Sequence, residues 1–149
     1  MGVSSFGSYS TKIDDKVMVV DKIELPESLA NTFTDGEYRT VVTTEDITLY
    51  RDFGYKAKAN GGFATTVPAE SAIQAKNDSA ILPEWKNTLQ YEAEIQVPKG
   101  TTLQVGKVAP QTTKGGTVLT GGADQIILPQ GWDDATWIQS VRELSVGGK

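Results

Sequence analysis

The alternation of apolar and polar residues between positions 90 and 97 constrains the fold of this chain more than any other feature. Every second position is apolar, and the positions between them are Gln or Glu. Because successive side chains of a β-strand point to opposite faces, this pattern predicts a strand with one buried and one solvated face. Glu92 and Glu94 fall on the polar face, where either could act as a catalytic carboxylate if that face lined a cleft. The apolar positions are Tyr91, Ala93, Ile95 and Val97.

Most of the remaining chain is also predicted to form short strands, divided by Gly, Pro and polar turn residues. Residues 47–53 alternate in the same way, and Arg51 falls within their otherwise apolar row. Segments rich in β-branched and aromatic residues favour extended backbone and add further strands. These are predicted at residues 16–25, 38–43, 63–67 and 102–108. This content of short strands predicts an α+β or mostly β domain.

Helices are predicted to be few and short. One covers residues 69–78 and is opened by Pro68, whose missing N–H is tolerated in a first helical turn. The C-terminal segment fits two structures. Trp132 before a capping Asp133, with Trp137 four residues further on, indicates a helix, whereas residues 135–144 also fit an edge strand.

The 149 residues are enough for one domain with a buried core. Residues 1–15 are predicted to be a flexible linker, because their N-terminal part is rich in Ser and Gly. This leaves residues 16–149 as a single folded domain. We expect no membrane span and no signal peptide, since no apolar run has the necessary length.

The chain contains neither histidine nor cysteine. Ser-His-Asp triads, thiol nucleophiles and zinc sites built from His or Cys are therefore excluded, and no metal site is predicted. The formal net charge is -5, and the lysines are spread along the sequence. Since nucleic-acid-binding domains usually carry a dense basic patch, DNA is not predicted as a partner. Any catalysis must use carboxylates, amides, hydroxyls, Lys, Arg and backbone dipoles.

Residues 121–129 form the strongest candidate site. Gly121 and Gly122 free the backbone from ordinary steric limits, so that it can approach a ligand closely. Asp124 and Gln125 follow them and stand at the entrance of a short apolar run that predicts a buried strand. An acid and an amide therefore meet a flexible turn at the end of a strand.

Several segments between residues 38 and 129 occur in an order that resembles the C-terminal toxin domains of bacterial polymorphic and contact-dependent inhibition systems. Among these, the order is most similar to NAD glycohydrolase toxins of the tuberculosis necrotizing toxin type, which share a core with ADP-ribosyltransferases. The resemblance rests on order and spacing, because no single motif is specific. The segments are residues 50–51 (YR), 62–66 (GFATT), 81–88 (ILPEWKNT), 97–101 (VPKGT), 106–111 (GKVAPQ) and 121–125 (GGADQ).

The resemblance implies a small, mostly antiparallel, split β core of ADP-ribosyltransferase-like type with one or two short helices, holding NAD as substrate in a cleft. Arg51 would bind the dinucleotide phosphates, for which a planar guanidinium is suited. Phe63, Thr65 and Thr66 would pack the nicotinamide side. Gln125 would be the catalytic-strand glutamine, with Asp124 as its charged neighbour.

The resemblance also implies interbacterial competition, a cognate immunity protein as partner, and secretion or delivery as the C-terminal part of a larger protein that acts in the target-cell cytoplasm. Two departures leave hydrolysis of NAD and transfer of ADP-ribose both open. The related glycohydrolase toxins use a cleft histidine, which is missing here, and Ile126-Ile127 follow Gln125 where the transferases carry a Gln-x-Glu motif.

Two other functions remain as alternatives. The first is a ribonuclease toxin, whose charge would come from Lys56, Lys58, Lys107 and Lys114, although the acidic composition opposes RNA binding. The second is a non-enzymatic β-rich binding module, which would present an exposed apolar face in place of a polar-lined cleft.

Overall fold

Antiparallel strands are the main regular secondary structure of residues 6–147, the part of the chain that the computed structural model describes. Three short α-helices accompany them: α1 (Glu27–Ala30), α2 (Ala72–Asp78) and α3 (Asp134–Trp137). Single 3₁₀ turns lie at Gly7–Tyr9, Asp14–Lys16 and Pro83–Trp85. The strands are β1 (Val17–Val19), β2 (Phe33–Thr43), β3 (Ile47–Tyr55), β4 (Phe63–Ala64), β5 (Asn87–Val97), β6 (Thr102–Val108), β7 (Gln111–Thr112), β8 (Val118–Leu119), β9 (Asp124–Ile127) and β10 (Ile138–Glu143).

The strands form two main sheets, and a single antiparallel backbone bridge joins β3 of one to the end of β4 of the other. The larger sheet has the order β1-β2-β6-β9-β4 and the smaller has the order β10-β5-β3, and their pairings are antiparallel. Tyr50 of β3 and Thr65, which follows β4, exchange two backbone hydrogen bonds of 2.8 Å. β7 and β8 form a separate hairpin. This architecture confirms the predicted α+β domain with a split, mostly antiparallel β core, and the described residues contain one more short helix than expected.

The main hydrophobic core draws on both sheets. Leu49 of β3, Ile95 of β5, Leu103 of β6 and Ile126 of β9 are completely buried in it. Burial of each such side chain contributes about 2 kcal/mol. Leu49 and Ile95 come from the faces that the alternating patterns predict to be apolar, so the sequence pattern determines which face of the smaller sheet turns inward.

The element boundaries follow the local hydrogen bonds. β6 covers residues 102–108 as predicted. β1 is shorter than the strand predicted at residues 16–25, since the Ile23 N–H donates to the Thr40 side chain and leaves the sheet ladder. α2 begins after Ser71, whose hydroxyl accepts a hydrogen bond from the backbone N–H of Gln74 and caps the helix. Both structures predicted for the C-terminal segment occur in succession, first α3 and then β10.

Part of the segment predicted to be a linker packs against the folded domain. Ile13 lies in the main core, and Asp14 forms a 2.5 Å ion pair with Arg39 of β2. The Arg39 guanidinium also lies 3.8 Å from the centre of the Phe6 ring. The folded unit therefore begins before residue 16, while residues 1–5 lie outside the described part. None of the helices in residues 6–147 has the length and apolar character required to cross a membrane.

Candidate functional site

A cavity of about 430 Å³ opens where the two sheets meet. β3, β4 and β9 form one wall, and α1, α2 and the 3₁₀ turn at Pro83–Trp85 contribute the other. Leu29, Ala80 and Trp85 are among the apolar side chains that line it. A concave, largely apolar site of this volume with a few polar groups is typical of pockets that bind small molecules.

Strand alternation decides which side chains face this cavity. Tyr50 is paired with Thr65, and Phe63 lies two residues before Thr65 on the same strand path. β4 pairs with β9 in a register that puts Gln125 on this same face. Asp52 lies two residues after Tyr50 on β3, so its side chain is on the same face as that of Tyr50. Because positions two apart in a strand share a face, these five residues form one polar and aromatic surface of the cavity.

Gln125 is held in place by one hydrogen bond. Its Nε2 donates to the Thr32 hydroxyl over 2.7 Å, and that hydroxyl donates in turn to the Leu29 carbonyl over 2.6 Å. Gln125 is only 7 % exposed, so the amide is fixed against the cavity wall. The Thr32 anchor is a contact between residues 93 positions apart and gave no signal in the sequence.

Phe63 and Thr65 both reach the cavity from the β4 segment. Phe63 is 38 % exposed, which is high for an aromatic side chain that would only serve the core. The Thr65 hydroxyl is buried and has no hydrogen-bond partner among the described residues. Since a buried hydroxyl normally finds a partner, Thr65 has unused capacity to bond a ligand.

Arg51 borders the cavity, but strand alternation directs its side chain to the opposite face from Asp52. Its Nε donates to the Lys58 carbonyl over 2.7 Å, and its Nη1 donates to the Phe63 carbonyl over 2.9 Å. Burial lowers the pKa of Arg51 to about 10, so the group stays cationic at neutral pH. In this structure the guanidinium fixes the backbone that presents Phe63.

Asp124 also borders the cavity and lies on the Arg51 side of the sheet, where three donors surround its carboxylate. Thr66 donates its hydroxyl over 2.5 Å, the Lys107 ammonium lies 2.6 Å away, and the Lys12 backbone N–H donates over 2.9 Å. These contacts tie β4, β6 and the N-terminal segment together. Thr66 is not one of the described residues that line the cavity. Lys107 is occupied by its ion pair with Asp124.

Gly121 and Gly122 form the turn that leads into β9, and neither lines the cavity described above. Both have positive φ angles, of 68° and 91°, which explains the need for glycine. A Cβ on Gly121 would lie 2.7 Å from the Val108 carbonyl oxygen, while the Gly122 N–H donates to that carbonyl over 2.9 Å. These two glycines were predicted to let the backbone approach a ligand, but in the structure the backbone approaches Val108 at the end of β6.

Asp52 is a cavity residue that the sequence did not single out. It lies directly opposite Glu92 of β5, and its Oδ1 is buried without a hydrogen-bond partner among the described residues. Burial, followed by the interaction with Glu92, raises the pKa of Asp52 to about 8. The expected solvation of Glu92 is wrong: this side chain is 2 % exposed and is bonded by Arg142 and by the Ala69 N–H.

Only the pairing of β3 with β5 could have identified Asp52 as a candidate site residue. Two carboxylates directly opposite each other on neighbouring strands repel unless a proton lies between them. The alternation of β3 and β5 is visible in the sequence, but the register that aligns Asp52 with Glu92 is not. Without that register both residues resemble ordinary solvated charges.

No protein-family model matches this chain, and no curated protein matches it significantly. Among solved structures, the chain is similar to a chain in the structure of Tne2 in complex with Tni2, with a TM-score of 0.62 and 16 % identity. The match covers 77 % of this chain and 99 % of the other. At this identity the similarity establishes a shared fold.

Proposed function

We propose that this chain is an NAD-consuming bacterial toxin domain that cleaves the bond between nicotinamide and ribose. The observation that carries the proposal is the cavity at the sheet junction, where Gln125, Phe63 and an unpartnered Thr65 hydroxyl share one wall. The fold shared with a chain of the Tne2–Tni2 complex supports it. The volume of about 430 Å³ is sufficient for the nicotinamide riboside part of a dinucleotide, with the adenylate extending outward.

The chemistry suits a site without histidine. The leaving nicotinamide departs as a neutral base from a pyridinium cation, so it needs no proton from an acid. Positive charge develops on the ribose, and oriented dipoles or carboxylates stabilise it. In our proposal the exposed Phe63 ring stacks against the nicotinamide, and the fixed amide of Gln125 orients the ribose.

We further propose that Arg51 has a positioning role, in addition to any contact with the NAD phosphates. Two of its nitrogens already hold backbone carbonyls, including that of Phe63. Because Arg51 borders the cavity, its positive charge would attract an anionic dinucleotide. Asp124 would act similarly by fixing Thr66, and so β4, in place.

The test is release of free nicotinamide from NAD by the purified domain, followed by chromatography. We expect Gln125→Ala to reduce kcat about 100-fold, the usual effect of losing one oriented polar group in an active site. The matched control is Gln130→Ala, an exposed glutamine that does not line the cavity among the described residues. Intact NAD after incubation with wild type, or equal rates for the two variants, would overturn the proposal. Labelled NAD distinguishes hydrolysis from transfer, since transfer leaves label on an acceptor.

The proposed role also includes a cognate immunity protein and delivery into a target cell as part of a larger protein. The similar solved structure holds Tne2 in complex with Tni2, and on that basis we expect this chain to bind a protein partner. Co-expression of the domain with the product of an adjacent gene, followed by size-exclusion chromatography and the nicotinamide assay, tests for an inhibitory partner.

A further inference from the structure

Three charged residues form one row across the smaller sheet. Asp52 of β3 lies opposite Glu92 of β5, and Glu92 lies opposite Arg142 of β10. The Arg142 guanidinium binds one Glu92 oxygen through Nε at 3.0 Å and Nη2 at 2.7 Å. The other Glu92 oxygen accepts the Ala69 N–H at 2.7 Å. Of these four residues, Asp52 lines the cavity.

The two carboxyl groups of this row differ in their hydrogen bonds. Glu92 accepts two hydrogen bonds from Arg142 and one from the Ala69 N–H. Asp52 has no such donors within residues 6–147, where its Oδ1 is buried without a hydrogen-bond partner. Burial of Asp52, together with the neighbouring Glu92, raises the pKa of Asp52 and favours its protonated form. Asp52 is therefore poised to lose and regain a proton at the cavity wall.

On this geometry, and resting on the proposed function, we infer that Asp52 is the general base that activates the attacking water in the cavity. Tyr50 and Thr65 flank Asp52 on the same face, and the unpartnered Thr65 hydroxyl offers a second contact for that water. Glu92 and Arg142 do not line the cavity among the described residues, and they act as positioning residues that set the charge and orientation of Asp52.

The step balances in atoms and charge. The carboxylate of Asp52 takes one proton from water while the water oxygen forms a bond to the anomeric carbon of the ribose. The bond from that carbon to the nicotinamide nitrogen breaks, and its electron pair neutralises the pyridinium. The products are nicotinamide, ADP-ribose and protonated Asp52, which returns its proton to solvent before the next turnover. Water is the co-substrate, and the step changes no oxidation state.

The experiment is a pH profile of nicotinamide release between pH 5.5 and 9.5 for wild type, Asp52→Asn and Glu92→Gln. Since the base must be ionised, wild-type kcat should rise with pH and level off above about pH 8. Asp52→Asn should lower kcat about 100-fold or more and lose the rising limb. Glu92→Gln removes the neighbouring negative charge, so its rising limb should move to lower pH. Glu45→Gln is the matched control, since this exposed glutamate before β3 does not line the cavity among the described residues, and it should behave as wild type.

The outcomes separate the two proposals. If wild type releases nicotinamide, and Asp52→Asn keeps both the wild-type kcat and its rise with pH, then Asp52 is not the base. The proposed function would still stand. If wild type releases no nicotinamide at any pH, the proposed function and the role of Asp52 both fail. Circular dichroism and urea unfolding show whether a variant is folded. A folded Glu92→Gln variant whose limb does not move would also refute the coupling to Asp52.

Discussion

The Asp52–Glu92 pair should make the stability of this protein fall as the pH rises from about 4 to 8. In the unfolded chain Asp52 ionises at its ordinary pKa of 3.8, whereas in the folded chain its pKa is about 8. Between these values the folded state holds a proton that the unfolded state has lost. The free energy of unfolding must then decrease with pH across this window and become independent of Asp52 above it.

The magnitude follows from the same pKa values. One pH unit in the window changes the free energy of unfolding by about 1.4 kcal/mol, which gives ~4 kcal/mol between pH 4 and pH 7. Asp52 is partly exposed and shares its proton with Glu92, so we expect about half of this, ~2 kcal/mol. Asp52→Asn has almost the same shape and can donate to Glu92, but it has no proton to lose. The variant should match wild type near pH 4 and exceed it by ~2 kcal/mol at pH 7.

The assay is urea unfolding followed by tryptophan fluorescence at intervals from pH 4 to pH 9. The informative quantity is the difference between Asp52→Asn and wild type, because the other titrating groups contribute equally to both. A difference that stays constant over the whole range would refute the proton assignment. A difference that shrinks as pH rises would show that Asp52 is ionised in the folded state and that another residue carries the proton.

Two further predictions concern the supports of the site. Gly61→Ala would push a methyl group into the Arg51 guanidinium, so it should lower stability by about 1–3 kcal/mol, whereas Gly62→Ala meets open space and should cost under about 1 kcal/mol. Urea midpoints of the two variants check this, and equal midpoints would contradict the packing of Arg51. Arg142→Ala removes the ion-pair partner of buried Glu92 and should cost about 2–3 kcal/mol at pH 7. Arg142→Lys should recover part of that loss, since it retains the charge.

Much of the fold was predictable because strand alternation and turn residues are local signals. β6 lies where the sequence predicts it, and Leu49, Ala93, Ile95 and Val97 are buried on the faces that alternate as apolar. Tyr91, predicted for the same buried face of β5, is exposed instead. The boundaries of α2 and β1 were less predictable, since side chains such as Ser71 and Thr40 compete for backbone donors. The packing of Ile13 into the core depends on contacts distant in sequence, and a Ser/Gly-rich composition does not reveal it.

The candidate site was predictable in part. Phe63, Thr65 and Gln125 meet at one cavity wall, as the order of their segments suggests. The catalytic and ligand-binding roles of all the named residues stay predictions. The sequence identified Glu92 as a possible catalytic carboxylate. It did not identify Asp52, the residue opposite Glu92 that lines the cavity. Cross-strand register was the missing information, since it cannot be inferred from either strand alone.

Arg51 and Asp52 show why residue type is a weak guide to function in a strand. The two are adjacent, so they point to opposite faces of the same sheet. Arg51 meets backbone carbonyls and becomes a support for β4, while Asp52 meets a second carboxyl and retains a titratable proton. Residue type alone would favour Arg51 as the ligand-binding residue of the pair, because a guanidinium suits phosphate groups. The hydrogen bonds favour Asp52, because two Arg51 nitrogens already hold backbone carbonyls whereas the buried Oδ1 of Asp52 has no partner among the described residues.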